Sequence, residues 1–142
     1  MPLETENTAE LLGQLAAIDG IKGIRQIVNA KPDWPRNGKF EGDLLDNEAW
    51  QKGYAELVKV GFSFDLQLNP PQYLKAAAVI TKTPEVPVII NHLGCPTLED
   101  LTERGDVYFA GMEAMAAASK DVYIKISMLC YITPEWDQNQ LV

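Results

Sequence analysis

The 142-residue sequence predicts an α/β fold with about four parallel strands alternating with helices. Three observations carry this expectation. Four short apolar or alternating runs, at 22–29, 62–68, 86–92 and 121–127, are separated by segments of helical periodicity. No two of them are joined by a tight turn that would close a hairpin, so the connections are crossovers and the strands parallel. Three of the four runs also put polar or charged residues on one face, whereas the central strands of a doubly wound sheet are apolar on both. The last observation favours a barrel, whose strand ends converge on a polar pocket, over an open flavodoxin-like sheet. Strand starts near 23, 62, 87 and 121 give roughly 25 to 40 residues per unit, and a closed eight-unit barrel takes about 250 residues. The chain holds about half of that, so the expectation is a partial (β/α)8 TIM barrel, one incomplete domain over 1–142, with two unpaired strand edges.

Element by element, Asn7 or Thr8 can cap a helix to about Ala17, with Leu11, Leu12, Leu15 and Ile18 at helical spacing and Gly20 as its stop. Residues 22–29, KGIRQIVN, alternate, with Ile24 and Val28 facing one way and Arg25 the other. Residues 30–45 carry two prolines and two glycines and read as a loop. A loop that long is usually functional, so Trp34, Arg36 and Phe40 either overhang a site or pin the loop to the body. Asp46 is the expected cap of a helix striped by Trp50, Tyr54, Leu57 and Val58 and ended by Gly61. FSFDLQL, residues 62–68, sets Phe62, Phe64, Leu66 and Leu68 against Ser63, Asp65 and Gln67. Asn-Pro-Pro stops that strand and opens a helix to about Lys82, whose expected face is Leu74, Ala77, Ala78 and Thr81. VPVIINH is the third strand, LGCPTLEDLTERGD a loop, Val107–Ser119 an Ala- and Met-rich helix, and DVYIKIS, with Tyr123, Lys125 and Ser127 on one face, the fourth strand. The tail from Met128 shows no periodicity.

Composition narrows the class of function. Hydrophobic residues make up 46% and charged residues 23%, which suits a core-forming globular chain. Net charge is −8 with no basic cluster, which argues against a nucleic-acid partner and fits a small-molecule substrate. The N-terminus lacks a basic region and an apolar core, and no run approaches a membrane span, so no membrane partner and a cytoplasmic location are expected. Cys95 and Cys130, without CxxC spacing, read as small buried apolar residues.

The chain's only histidine, His92, stands at a strand end before a Gly-Cys-Pro turn. Strand ends are where parallel α/β sheets bind ligands, and imidazole titrates near neutrality, so His92 is a candidate metal ligand or general acid/base, against the alternative that a lone histidine is structural. One histidine does not make a metal site, and there is no HxH pair or Cys/His cluster. Arg25, Asp65 and Lys125 are each the one charge in the interior of their run. They either line one cavity, as carboxylate-binding cations with a base or orienter, or form a structural ion network. There is no nucleophile elbow, P-loop or dinucleotide fingerprint.

GIRQIVN, FSFDLQLNPPQYL, VPVIINHLGCP and GMEAMAAASKDVYIKIS, in that order and spacing, resemble the middle of the amidohydrolase-related (amidohydrolase 2) family. The similarity covers about residues 10–130, and the flavour is that of the lactonase-like branch. The resemblance implies a (β/α)8 barrel hydrolase that opens a lactone or similar carboxylate-bearing molecule with activated water. It implies that His92 is an active-site residue that binds a divalent metal, zinc or manganese, where one is present. Asp65 matches the family's Phe-Asp-Leu strand and shares the catalytic role with His92, while Arg25, Lys125 and Asn91, which replaces a common Asp, would bind substrate. The family's HxH pair and late water-activating Asp are outside these 142 residues, so the resemblance implies that the chain alone is inactive. The alternative expectation is a catalytically dead half-barrel that binds or dimerises through its sheet edges.

Overall fold

A computed structural model describes residues 1–30 and 42–133. Four strands, β1 (Gly23–Ile27), β2 (Ser63–Gln67), β3 (Val88–Ile90) and β4 (Val122–Ile124), form one parallel sheet in the order β1-β2-β3-β4. With helices between successive strands, this is the arc of a partial (β/α)8 barrel. The helices are α1 (Thr8–Ala16), α2 (Glu48–Ala55), α3 (Leu57–Val60), α4 (Tyr73–Lys82), α5 (Leu98–Thr102) and α6 (Gly105–Ala118). The loop residues Trp34, Arg36 and Phe40 lie outside the described residues.

The register sets the two faces. Gly23 pairs with Ser63, and Arg25, Asp65, Ile89 and Tyr123 form one row across all four strands. The alternate residues turn to the helices: Phe64, Leu66, Val88 and Ile90 are each at most 3% exposed and meet Trp50, Tyr54, Ala76, Ile80 and Met115 in one core. Trp50 stacks on Tyr54 at 5.5 Å and both meet Phe64 edge-on at 5.7 and 5.4 Å, a geometry that adds to their area burial. Gln26 also turns to this side and is wholly buried. Its Oε1 accepts from Leu3 N and Trp50 Nε1, both at 3.0 Å, and its amide donates to Glu4 at 2.9 Å, so the polar group is satisfied where it lies.

Several boundaries differ from the sequence reading. Asp46 ends a short 3-10 turn, Leu44–Asp46, and the cap of α2 is Asn47, whose side chain accepts from Trp50 N at 2.9 Å. Ile18 and Val58 fall off their stripes and are exposed. The face expected for α4 is off by one position: Leu74 is 68% exposed and Ala78 and Thr81 are exposed, whereas Ala77 is buried as expected, with Tyr73, Ala76, Val79 and Ile80 beside it. A 3-10 turn at Pro70–Gln72 precedes α4, and Tyr73, Ala76, Ala77 and Ile80 form an i, i+3, i+4, i+7 stripe as regular as the expected one. The stretch taken as a loop after β3 holds α5, opened by a capping box in which Thr97 and Asp100 satisfy each other's backbone N–H groups. Cys95 is buried as expected, whereas Cys130 is exposed. Among the described residues no helix is long and apolar enough to cross a membrane.

Candidate active site

The face of the sheet turned away from the helices carries the expected polar residues, and their order follows from the strand alternation. Arg25 and Asp65 sit side by side in the register. One step further along, Ile27 pairs with Gln67. The same register continues through Asn91 and Lys125: Asn91 N donates to Leu66 O at 2.9 Å, and Lys125 N to Ile90 O at 2.8 Å. The side chains then cross between rows. Arg25 donates to Gln67 Oε1 on β2, and Lys125 donates to Asp65, passing over β3. Lys125 stands just beyond the last residue of β4 with its side chain 44% exposed. The ammonium is therefore on an open polar face and needs no enclosed pocket.

His92 begins a turn at the C-terminal end of β3, where His92, Leu93, Gly94 and Cys95 have φ of 56°, 54°, 81° and 56°. Its Nδ1 lies 2.9 Å from Ser127 Oγ. Its Nε2 is buried with no partner among the described residues, as is Nδ2 of the adjacent Asn91. Burial holds the His92 pKa below its ordinary value, the charges of Arg25 and Lys125 push it the same way, and Asp65 opposes them. Those three charges therefore face the imidazole from β1, β2 and the end of β4, which brings four sequence-predicted residues to one place. The lowered pKa favours the neutral ring. With its proton on Nδ1 it donates to Ser127 and leaves the Nε2 lone pair free.

Sequence reasoning did not assign Gln67 and Ser127 to the site, although each continues an i, i+2 series that it had already drawn, Asp65–Gln67 and Lys125–Ser127. Among the described residues no three His, Cys, Asp or Glu side chains gather into a group able to hold a metal ion. His92 offers one donor nitrogen, and a metal needs three or four ligands.

The comparisons with known proteins agree with the fold. The amidohydrolase family model, Amidohydro_2, matches residues 1–142. An uncharacterized protein of Sinorhizobium fredii, y4mH, is 30% identical over 88 residues, 62% of this chain and 30% of that protein. The crystal structure of an amidohydrolase from Burkholderia multivorans with bound HEPES superposes with a TM-score of 0.76 at 17% identity, over 99% of this chain and 48% of that one. Its zinc-bound crystal form gives 0.72 at 19% identity, over 94% and 44%. The chain thus spans just under half the length of the solved chains it matches.

Proposed function

Because the chain belongs to the amidohydrolase family, we propose that it forms one wall of a hydrolase site that opens a lactone or a similar carboxylate-bearing small molecule. The observation that carries the reading is the meeting of Arg25, Asp65 and Lys125 around His92, whose Nε2 is buried with no partner among the described residues. Arg25 and Lys125 supply the positive charge that holds a substrate carboxylate. Asn91 Nδ2, an unspent donor, addresses the carbonyl oxygen as negative charge builds on it. The His92 Nε2 lone pair takes a proton from the attacking water, whose oxygen bonds to the carbonyl carbon. The ring C–O bond then breaks, and the proton passes to the leaving oxygen, giving a hydroxy acid. Asp65 orients Lys125 and opposes the cations' effect on the imidazole.

The residues described here do not by themselves fit a metal, and no step above passes through one. The zinc in the Burkholderia structure supports a divalent metal in a complete barrel; there His92 Nε2 would be one ligand in place of its role as base, and the metal would supply the acidity of the attacking water. In this reading the opposite wall comes from a complete barrel, and the 142 residues alone do not turn over substrate. The test is lactone hydrolysis, followed by proton release, in a complete barrel that contains this segment. His92→Asn should lower kcat/KM by about 100-fold or more, and Lys125→Met should raise KM. Unchanged lactone turnover in His92→Asn overturns the role.

One observation supports a second reading, a half-barrel that pairs with a second copy. Tyr123, Ile124 and Ile126 at the β4 edge and Phe109 on α6 are exposed apolar residues, and an open strand edge beside such a surface favours association. Light scattering of the 142-residue chain tests it: a defined dimer supports this reading, and a well-folded monomer ends it.

A further inference from the structure

The turn that presents His92 is held by two tyrosines from two different helices. His92, Leu93, Gly94 and Cys95 form a run of four residues at positive φ, and three of them have side chains that disfavour this left-handed backbone. Such a run persists only where its surroundings over-determine it. Within the turn, Gly94 N donates to Asn91 O at 2.9 Å and Cys95 N to His92 O at 2.8 Å. From β4, Lys125 O accepts from Leu93 N at 3.0 Å. The remaining carbonyls are taken by side chains: Tyr73 of α4 donates to Gly94 O and Tyr108 of α6 to Leu93 O, both at 2.9 Å.

The two phenol rings are buried and meet edge-on at 5.9 Å. The backbone around them leaves no slack. A Cβ at Gly94 would stand 2.3 Å from the Tyr73 hydroxyl, and one on α6 at Gly111 would stand 2.7 Å from the Tyr73 ring. Tyr73 is thus wedged between α6 and the turn, and the two hydroxyls hold the turn's last two carbonyls before Cys95.

We infer that Tyr73 and Tyr108 are positioning residues for His92, clamping the left-handed turn so that Nδ1 stays on Ser127 and Nε2 stays open. If the turn relaxed to right-handed φ, the His92 Cα–Cβ bond would swing and the ring would leave Ser127. Any effect on catalysis rests on the hydrolase reading above. The effect on the imidazole does not, and it is read without substrate.

Because His92 is the only histidine, two-bond 1H–15N correlation spectra of the 142-residue chain report a single ring. At about pH 8 the wild-type ring is neutral and should show two widely separated nitrogen shifts, the mark of one fixed tautomer. Tyr73→Phe and Tyr108→Phe should each bring the two shifts closer, and the double variant should bring them closer still. Tyr54→Phe, which removes another buried hydroxyl, should leave them in place. A merely structural role would lower the melting temperature of the clamp variants and leave the ring shifts where they are, and that result in folded variants overturns the inference. Hydrogen exchange on the wild-type chain needs no variant to fold. The amides of Leu93, Gly94 and Cys95 should be protected by about 100-fold or more, and exchange at the rate of free peptide overturns the clamp.

Discussion

Lys125, at the end of β4, donates a hydrogen bond to Asp65 of β2 across the intervening strand. With the lysine 44% and the aspartate 23% exposed, solvent screens the pair, and such pairs contribute about 1 kcal/mol or less. Asp65→Asn should therefore change the unfolding free energy little. Its clear effect should fall on His92, because Asp65 raises the imidazole pKa against the downward push of burial, Arg25 and Lys125. An NMR titration should show the His92 midpoint fall in Asp65→Asn and rise in Lys125→Met. Shifts of the opposite sign would mean that these charges do not face the ring.

The lowered His92 pKa also gives stability a pH dependence of known sign. The unfolded imidazole titrates at its ordinary value of 6.5 and the folded one below it. Between the two midpoints the unfolded state binds more protons, so stability increases with pH through that window. The contribution is complete above 6.5 and is lost as pH falls through the folded midpoint. Urea unfolding between about pH 5 and 8 should show this slope in the wild type and a flatter one in His92→Asn. Identical slopes would show that the ring has no depressed pKa in the folded chain.

Arg25, Asp65 and Lys125 were legible in the sequence because strand alternation fixes which side chains share a face, and a lone charge among apolar neighbours stands out against it. His92 was legible as a strand-end residue for the same reason. The left-handed turn was not, because only Gly94 among its four residues carries a local signal for positive φ. The tyrosines were hidden by the opposite problem. Tyr73 heads the buried stripe of α4 with Ala76, Ala77 and Ile80, a stripe one position from that of Leu74 and equally periodic, so spacing alone does not choose between them. Tyr108 looked like one more apolar residue of α6, and its hydroxyl's partner on a distant turn is a matter of packing. Gln67 and Ser127 carry no charge to draw notice, so their series was drawn without being assigned to the site.

Gln26 shows how the sheet tolerates a polar residue on its packed side. Wholly buried, it satisfies the indole N–H of Trp50 and the backbone N–H of Leu3. Gln26→Leu keeps the volume roughly but strands both donors, each at about 1–3 kcal/mol. The variant should lose about 2–6 kcal/mol in urea unfolding, and the Trp50 contribution to the fluorescence should change. A variant as stable as the wild type would show that the two N–H groups find other partners.

Gly61 and Gly94 separate two reasons for a glycine. Both have positive φ, 67° and 81°, but a Cβ at Gly61 meets nothing within 4 Å, whereas one at Gly94 meets the Tyr73 hydroxyl at 2.3 Å. Gly61→Ala should therefore carry only the left-handed backbone cost, about 1–2 kcal/mol. Gly94→Ala carries the same cost and a clash that is hard to relieve. Tyr73 is buried against Tyr108 and Gly111, so its ring has little room to retreat, and overpacking of that kind adds about 1–3 kcal/mol. Urea unfolding of the two variants side by side should show Gly94→Ala as clearly the less stable, and only Gly94→Ala should shift the His92 ring resonances. Equal losses with an unmoved ring would mean that the turn yields without disturbing Tyr73.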